Sequence, residues 1–331
     1  MVRPLLLAMV ASLLIGGSAR AATLEPVQLP RDHGAHPQFG VEWWYTTGHA
    51  AAPGGKRYFW FATIWTSPMG TIGRVNVVDL RRDRVVLAKQ WTQAGQFASG
   101  SRDLAAGGLR LSWTPAGPYG RLGVDARVDG GDRLRLKLVV RKPYALHGDQ
   151  GIVRQGSAGS SAYYSGTRLR GTGSLTVSGR RRRLAGRAWF DHQWGDFATS
   201  PGALRWDWFA CQLDDGRDLM LTQFLGPDFH PLPGVRHGTL VDAHGRARAV
   251  TSFTATPAGR TLQPAGATAT YPLDWRLRIP GAGIDLSLRA AARNQFVAMQ
   301  FLPSFWEGAA TIVRGAPGVC TVENSREAPA G

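Results

Sequence analysis

Glu42-Trp43-Trp44-Tyr45 begins the stretch that decides the fold class, and Arg57-Tyr58-Phe59-Trp60-Phe61 returns after the glycine pair Gly54-Gly55. Aromatic residues favour pleated sheets, and a glycine pair between two such runs is typical of a β-hairpin. Consecutive side chains of a strand point to opposite faces, so Trp43 and Trp44 cannot enter the same core. One of the two rings is therefore expected to line a cavity or to meet a second domain.

A similar hairpin occurs in the second half of the chain. Asp207-Trp208-Phe209 begins a strand that turns at Asp215-Gly216 and returns through Arg217-Asp218-Leu219-Met220-Leu221. In both hairpins a carboxylate enters an aromatic strand, which indicates an internal repeat, and the alternative is that two similar hairpins arose by chance. We predict two related β domains, residues 22–185 and 186–331, with the boundary near Leu184 to Arg187.

Period-two patterns continue through the rest of the chain, separated by clusters of Gly, Pro, Asp and Asn. They include Val75 to Leu80, Leu109 to Trp113, Leu134 to Val140, Leu219 to Leu225, Trp275 to Ile279 and Ala309 to Val313. Many short strands joined by tight turns are typical of barrels and sandwiches. Helical periodicity is nearly absent, and Arg289 to Phe301 can be a short helix or a loop. The expected fold class is all-β and antiparallel, with less than about a fifth of helix.

The N-terminus has the features of a secretory signal peptide. Arg3 precedes an apolar run from Leu5 to Ile15, and the small-residue triplet Ala19-Arg20-Ala21 follows. The run is far shorter than the ~20 residues that a membrane-spanning helix needs. We predict that residues 1–21 are removed and that the mature chain, with no transmembrane segment, is periplasmic or secreted. No cysteine follows the cleavage point, so no lipid anchor is expected there.

The chain has two cysteines, Cys211 and Cys320. In an oxidising compartment the two can form a disulfide. Cys211 lies in an apolar strand, where a small buried thiol is the other common state. The sequence leaves both alternatives open.

The composition is basic, with 39 lysine and arginine residues against 23 acidic residues and a formal net charge of +16. Most of the basic residues are arginines, which indicates compositional bias. The arginines alternate with apolar residues, as from Arg133 to Leu138, and so are placed on the wet face of a strand. Basic residues and stacking aromatics are not interleaved on one element, so nucleic-acid binding is not expected.

Polar groups stand among the tryptophans where an apolar strand would normally exclude them. The clearest case is Trp206-Asp207-Trp208. Because desolvation disfavours the charged form, a carboxylate between two rings either pairs with a cation or has a raised pKa. Asp207 is thus a candidate acid. In the alternative, Asp207 holds a nearby arginine such as Arg205 or accepts backbone hydrogen bonds.

A set of motifs follows in order along most of the mature chain. Its members are Glu42 to Tyr45, Leu146-His147-Gly148-Asp149, Tyr163-Tyr164-Ser165, Ala188 to Trp194, Trp206 to Phe209 with Gln212 to Gly216, and Phe305-Trp306-Glu307-Gly308. This ordered set resembles the carotenoid 1,2-hydratase and AttH-like family of secreted, lipocalin-related proteins. The resemblance implies two consecutive lipocalin-like (calycin) antiparallel β-barrel or sandwich domains. The stretch Gly318 to Glu323 departs from the more aromatic closing strand of that family.

The resemblance also implies a catalytic site made by His192, Trp194 and Asp207. It places an apolar isoprenoid or lipid ligand beside Glu42, Trp43, Trp44, Tyr164, Trp206 and Trp208. In a hydration, a neutral Asp207 would protonate an alkene, tryptophan faces would stabilise the tertiary cation, and His192 would position the water. No metal or organic cofactor is expected.

Two function classes stay open, a hydratase of isoprenoid alkenes and a non-catalytic carrier of hydrophobic ligands. A carrier, with peripheral contact to a membrane or an ABC transporter, tolerates loss of Asp207 and His192, whereas a hydratase does not. No serine has the flanking glycines of a nucleophile elbow, and the H-E-x-x-H zinc motif is absent from the sequence. Asp32, His33 and His36 could hold a metal ion, but two histidines in a loop are a weak signal.

Overall fold

The computed structural model describes residues 22–156, 159–197, 205–300 and 302–326, so the predicted signal peptide lies outside the described residues. The first half contains β1 (Val41–Ala52), β2 (Lys56–Ser67), β3 (Gly70–Asp79), β4 (Arg84–Gln93), β5 (Asp103–Ala106), β6 (Leu109–Thr114), β7 (Arg121–Arg127), β8 (Arg133–Val140), β9 (Ala145–Leu146), β10 (Ile152–Arg154), β11 (Gly159–Val177) and β12 (Arg180–Phe197). The second half contains β13 (Arg205–Leu213), β14 (Asp218–Leu225), β15 (Pro231–Val241), β16 (Ala247–Val250), β17 (Thr254–Pro257), β18 (Thr261–Leu262), β19 (Tyr271–Pro272), β20 (Asp274–Ile279), β21 (Ile284–Ala290), β22 (Phe296–Val297), β23 (Phe305–Arg314) and β24 (Gly318–Ser325).

Helical structure in these ranges consists of short 3-10 turns, among them Arg31–His33, Asp129–Gly131 and Pro280–Ala282. The all-β prediction is therefore confirmed. The segment after Arg289 is a loop with the two-residue strand β22, as far as residue 300. Within the described ranges, no helix is long and apolar enough to cross a membrane.

The first sheet has the strand order β4-β3-β2-β1-β12-β11-β8-β7-β6-β5, and β9 and β10 pair with β11. The sheet curls until β5 approaches β3 and β4, and it forms a nearly closed barrel. At this seam a Cβ added to Gly73 of β3 would lie 2.8 Å from the Cβ of Ala106 of β5. A residue without a side chain therefore lets the two edges of the barrel meet.

The second sheet repeats this arrangement as a half-barrel with the order β16-β15-β14-β13-β24-β23-β21-β20-β17. In each half, the first long strand lies between the next strand of the chain and the last strand of that half. Thus β1 lies between β2 and β12, and β13 lies between β14 and β24. Glu42 and Asp207 are the second and third residues of β1 and β13, so the two similar hairpins occupy corresponding places.

Strand β12 runs across the domain boundary that the sequence predicts. Ala185 and Arg187 each pair with both β1 and β11, so the predicted boundary near Leu184 to Arg187 lies inside the first sheet. The strand ends at Phe197, and β13 of the second sheet begins at Arg205. The division between the sheets therefore falls after Phe197. The boundary was predicted from the repeat of the two hairpins, which does not show where the last strand of the first sheet ends.

Alternate side chains of β1 belong to different apolar layers. Trp44 lies in the core of the first barrel, whereas Trp43 packs against a layer between the two sheets. That layer joins residues of the first sheet, such as Phe61 and Trp189, to residues of the second, such as Trp208. Of the two expectations for the tryptophan pair, a ring that lines a cavity or a ring that meets the second domain, the second is therefore observed, and the ring is that of Trp43.

Buried polar contacts also hold the two sheets together. Asp218 of β14 is fully buried, and Lys142 Nζ and Arg168 Nη2 of the first half lie 2.7 and 2.6 Å from its carboxylate oxygens. Thr167 donates a hydrogen bond to the same carboxylate at 2.9 Å. The two cations and the hydroxyl offset the free-energy cost of removing this carboxylate from water.

Cys211 and Cys320 form a disulfide. They stand opposite each other on β13 and β24, and both are fully buried. The pair therefore links the first and last strands of the second half, and the disulfide rather than the buried thiol is the observed state.

Candidate functional site

Five titratable residues inside the first barrel form a group that we call the barrel cluster: His33, His36, Glu42, Tyr164 and His192. Glu42 Oε1 lies 2.7 Å from His192 Nε2 and 2.8 Å from His36 Nδ1. Glu42 Oε2 accepts a hydrogen bond from the backbone N–H of His36 at 2.8 Å. The Tyr164 hydroxyl lies 3.2 Å from His192 Nδ1 and 2.7 Å from His33 Nδ1. One hydrogen-bonded chain thus links the five residues.

The buried carboxyl and imidazole groups of the barrel cluster are held in their unprotonated forms. Burial raises the pKa of Glu42, but the hydrogen bonds and charges of the two histidines outweigh burial and lower this pKa below its ordinary value. Burial lowers the pKa of His33 to about 3 and lowers that of His192. At neutral pH the group therefore holds a carboxylate and at least two neutral imidazoles.

Indole rings fix the imidazoles of this cluster. Trp44 stacks on His192 with ring centroids 4.7 Å apart, and Trp194 stacks on His36 at 4.0 Å with an interplanar angle of 6°. The structure thus brings together five of the predicted site residues, namely Glu42, Trp44, Tyr164, His192 and Trp194.

Asp207 is not part of this cluster. Its side chain lies inside the second sheet, where Arg326 Nη2 contacts Oδ1 and Gln223 Nε2 donates to Oδ2 at 2.9 Å. Burial raises the pKa of Asp207, and the charge of Arg326 opposes this shift. The predicted set of His192, Trp194 and Asp207 is therefore corrected, because its members face the cores of two different sheets. The sequence analysis offered Arg205 as a possible ion-pair partner of Asp207, and the structure shows Arg326 in this role.

The repeat explains why Asp207 binds an arginine. Trp44 pairs with His192 across β1 and β12, whereas the corresponding Phe209 pairs with Val322 across β13 and β24. The second sheet thus has a valine at the position where the first sheet supplies the imidazole that contacts Glu42. Arg326 provides the missing compensation for burial.

A second group lies between the two sheets, and we call it the interface cluster: Tyr45, Tyr163, Asp191, Glu307 and Glu323. Asp191 precedes His192 in β12 and points to the other face of the strand, as alternation requires. Tyr45 and Tyr163 belong to the inter-sheet apolar layer. The cluster therefore places polar groups of both sheets in apolar surroundings.

Asp191 accepts three hydrogen bonds. The Tyr163 hydroxyl donates at 2.9 Å, Trp189 Nε1 donates at 2.7 Å, and the Ser165 hydroxyl also donates to the carboxylate. Burial nevertheless raises the pKa of Asp191 to about 6. Trp208 Nε1 of the second sheet donates to the Tyr163 hydroxyl at 3.2 Å and so connects this group to the opposite sheet.

Glu307 and Glu323 stand directly opposite each other on β23 and β24. The Tyr45 hydroxyl donates to Glu307 Oε1 at 2.5 Å, and Trp206 Nε1 donates to Glu323 Oε1 at 2.5 Å. Burial and the charge of Glu323 raise the pKa of Glu307 well above its ordinary value. Burial raises the pKa of Glu323 to about 7. Neighbouring carboxyls in such surroundings cannot easily ionise together, so the pair retains at least one proton at neutral pH.

Two buried polar atoms at this place have no hydrogen-bond partner among the described residues, Glu307 Oε2 and Arg74 Nε. The charge of Arg74 acts on Glu307, which places the two groups close to each other. An unsatisfied buried polar group costs about 1–3 kcal/mol. A polar group bound between the sheets would offset part of this cost.

The interface cluster contains residues that sequence reasoning missed. The predicted ligand residues Trp43, Trp206 and Trp208 pack in or against the inter-sheet layer, but Asp191, Glu307 and Glu323 had been given no role. Asp191 and Glu307 lie within motifs that were already singled out. The sequence did contain a signal for these residues. Each is a carboxylate in a strand with period-two alternation, on the face opposite to the one that enters the core.

A groove of about 980 Å³ lies on the outer face of β6, β7, β8, β11 and β12. Its lining includes Arg110, Arg121, Arg135, Lys137, Arg181 and Arg183. No residue of either cluster lines this groove. The alternating arginines thus lie on a wet face, as their pattern predicts.

The weak metal set predicted in the N-terminal loop is not assembled. Asp32 pairs with Arg31 Nε at 2.5 Å and accepts the backbone N–H of Gln28 at 2.7 Å. His33 Nδ1 instead contacts Tyr164. Asp32 and His33 therefore contact different residues and do not point at a common position.

The fold and the two clusters define a tandem lipocalin-like β protein with a buried acid group between its sheets. The chain belongs to the AttH-like family, whose model matches residues 20–323. A crystal structure of an AttH protein from Nitrosomonas europaea is similar, with 26% identity, a TM-score of 0.81, and 92% of this chain and 98% of that chain covered. Kievitone hydratase from Nectria haematococca shares the fold, with 20% identity, a TM-score of 0.70, and coverage of 90% and 92%. A search of curated protein sequences finds no significant match.

Proposed function

We propose that this protein is a hydratase that adds water to an apolar, isoprenoid-like alkene between its two sheets, with the interface cluster as the acid. The observation that carries the proposal is a group of three carboxyls with raised pKa values among tryptophan rings, the buried Asp191 and Glu307 and the half-buried Glu323. A protonated carboxyl in apolar surroundings suits protonation of an alkene, because a general acid works best with a pKa near the operating pH. The AttH-like family membership and a hydratase with the same fold are in keeping with this proposal.

Glu323 is the proposed proton donor. Its pKa of about 7 is closest to neutral pH, and it is half-buried beside Trp206, whereas Glu307 is fully buried. Glu323 transfers its proton to the less substituted alkene carbon and leaves a tertiary cation. Water then adds to the cation, and the released proton returns to the Glu323 carboxylate. The sum of the steps is alkene plus water to tertiary alcohol.

Aromatic rings around the cluster would stabilise the cation. Trp208 meets Tyr45 edge-on at 5.5 Å and Trp189 at 6.3 Å, and Trp206 and Trp43 pack against the same layer. A desolvated cation over an indole face gains about 2 kcal/mol or more. Hence the predicted ligand role of Trp43, Trp206 and Trp208 is kept in the proposal, and the acid role moves from Asp207 to Glu323.

The pH dependence of kcat/KM tests the role of a protonated Glu323. We expect kcat/KM for a prenylated alkene to be constant below about pH 7 and then to fall tenfold per pH unit, because the pKa of Glu323 is raised to about 7. The same raised pKa makes folding less favourable as pH rises from about 4.5 through 7, so circular dichroism at each pH must show that the fold persists. A rate that rises with pH over this range would contradict the acid role, and no turnover across an alkene panel would favour a carrier.

We also propose that the chain is exported and loses residues 1–21. The Cys211–Cys320 disulfide supports this proposal, because disulfides persist in oxidising compartments. Protein from the periplasm or medium should begin at Ala22 on N-terminal sequencing, and its cysteines should resist alkylation until a reductant is added. An uncleaved product with two free thiols would contradict export.

A further inference from the structure

Three members of the barrel cluster form a compact set of metal-ligand donors that the proposed protonation does not use. His36 Nδ1 and His192 Nε2 both face Glu42 Oε1, at 2.8 and 2.7 Å. One ligand atom from each of the three residues lies within 4.8 Å of the other two. We propose that His36, Glu42 and His192 bind a divalent transition-metal ion of the Zn²⁺ type.

The donor set determines the class of ion. Two imidazole nitrogens and one carboxylate oxygen are a combination that zinc takes in proteins, with a fourth position left open. Imidazole-rich sites favour ions such as Zn²⁺, Co²⁺ and Cu²⁺ over Mg²⁺ and Ca²⁺, which prefer oxygen ligands. The site should therefore discriminate against the alkaline-earth ions.

The present distances are close to those that a metal ion needs. Zinc bonds of about 2.0–2.2 Å in tetrahedral geometry place neighbouring ligand atoms about 3.3 Å apart. The two nitrogens now lie 2.7 and 2.8 Å from Glu42 Oε1. Opening each contact by about half an ångström would admit the ion. Such an adjustment lies within the reach of small side-chain rotations.

The other ring nitrogens have acceptors ready for the displaced protons. In the hydrogen-bonded arrangement His36 Nδ1 and His192 Nε2 donate to Glu42, and each must lose its proton to bind a metal. The Tyr164 hydroxyl lies 3.2 Å from His192 Nδ1, and Asp32 Oδ1 lies 3.6 Å from His36 Nε2. His192 can thus change tautomer and donate outward, as metal-bound histidines commonly do. For His36, a movement of a few tenths of an ångström would bring Nε2 within hydrogen-bond distance of Asp32 Oδ1. No net proton needs to leave a neutral ring.

The surroundings supply rigidity and an entry path. His192 is fully buried against Trp44, whereas the His36 side chain is 14% exposed and stacks on Trp194. An ion can therefore approach from the His36 side. The site lies on the opposite face of β12 from Asp191, and it shares no residue with the interface cluster.

Isothermal titration of the EDTA-dialysed mature protein with ZnCl₂ tests the proposal, and the visible spectrum of the Co²⁺ form is a second readout. We expect one saturable site per chain, Co²⁺ bands of low coordination number, and no saturable binding of MgCl₂. His36→Asn, at the most exposed ligand, should abolish this site. Tyr164→Phe should weaken it by about 10–100-fold, the usual effect of losing an outer partner.

His230→Asn and His244→Asn are the matched controls, since both histidines lie outside the cluster and only surface binding would depend on them. These variants should bind Zn²⁺ like the wild type. The proposal is overturned if the wild type shows no saturable Zn²⁺ binding, if the same site persists in His36→Asn, or if it disappears in the controls. Alkene turnover is not the readout, so failure of the metal site leaves the proposed hydration standing, and the reverse also holds.

Discussion

Glu323→Gln should fold normally and lose roughly 10²–10⁴-fold in turnover of a prenylated alkene, the usual contribution of a general acid. The amide has the size of the carboxyl and can still accept the hydrogen bond from Trp206 Nε1, which is 2.5 Å long in the native protein. What the variant lacks is a dissociable proton. Steady-state kinetics with mass-spectrometric detection of the alcohol would measure the loss.

Glu307→Gln is the matched control for this variant. The pKa of Glu307 is raised well above its ordinary value, so this carboxyl is already neutral and an amide can replace it as acceptor from Tyr45. We expect its turnover to stay within about tenfold of the wild type. A reversed order, with Glu307→Gln inactive and Glu323→Gln active, would move the acid to Glu307.

Asp207→Asn should destabilise the fold by about 3–5 kcal/mol, because it leaves a buried arginine without its partner. The side chains of Asp207 and Arg326 are 2% and 5% exposed, so water cannot replace the lost contact. Chemical denaturation followed by tryptophan fluorescence would measure the free energy of unfolding. At temperatures where the variant is folded, it should hydrate the alkene at close to the wild-type rate.

Asp285→Asn provides the comparison for a carboxylate that is not buried. Asp285 pairs with Arg276 at 2.8 Å, but both side chains are more than a third exposed. This substitution should leave the free energy of unfolding nearly unchanged, since surface ion pairs contribute little. A stable Asp207→Asn protein with strongly reduced turnover would contradict the structural role and restore Asp207 as the acid.

The sequence predicts the strands of this protein better than it predicts their partners. Alternation was sufficient to place Trp43 and Trp44 on opposite faces, and the similarity of two hairpins related Glu42 to Asp207. Register between distant strands has no local signal, so the pairing of Glu307 with Glu323 could not be foreseen. The same reason explains the misplaced boundary at Leu184 to Arg187, because only the pairing of β12 with β1 and β11 shows that this segment is a strand.

Only part of the candidate site could be predicted, because contacts within one strand have a local signal and contacts between distant strands do not. His192 and Trp194 are two residues apart in one strand and therefore share a face, and the barrel cluster contains both. Asp207 was joined to them through motif order alone, and its partner Arg326 lies 119 positions away in the chain. The pKa of a carboxyl rises when neighbouring groups shield it from water. For Glu323 of β24, this shielding comes from Trp206 on the paired strand β13.

The central claim is that a carboxyl between the sheets protonates the alkene, and turnover in D₂O tests it most directly. The account predicts a tertiary alcohol with one deuterium on the neighbouring carbon from the wild type and from Asp207→Asn, and roughly 10²–10⁴-fold less of this product from Glu323→Gln within the same time. Deuterated alcohol formed at the wild-type rate by Glu323→Gln would contradict the claim.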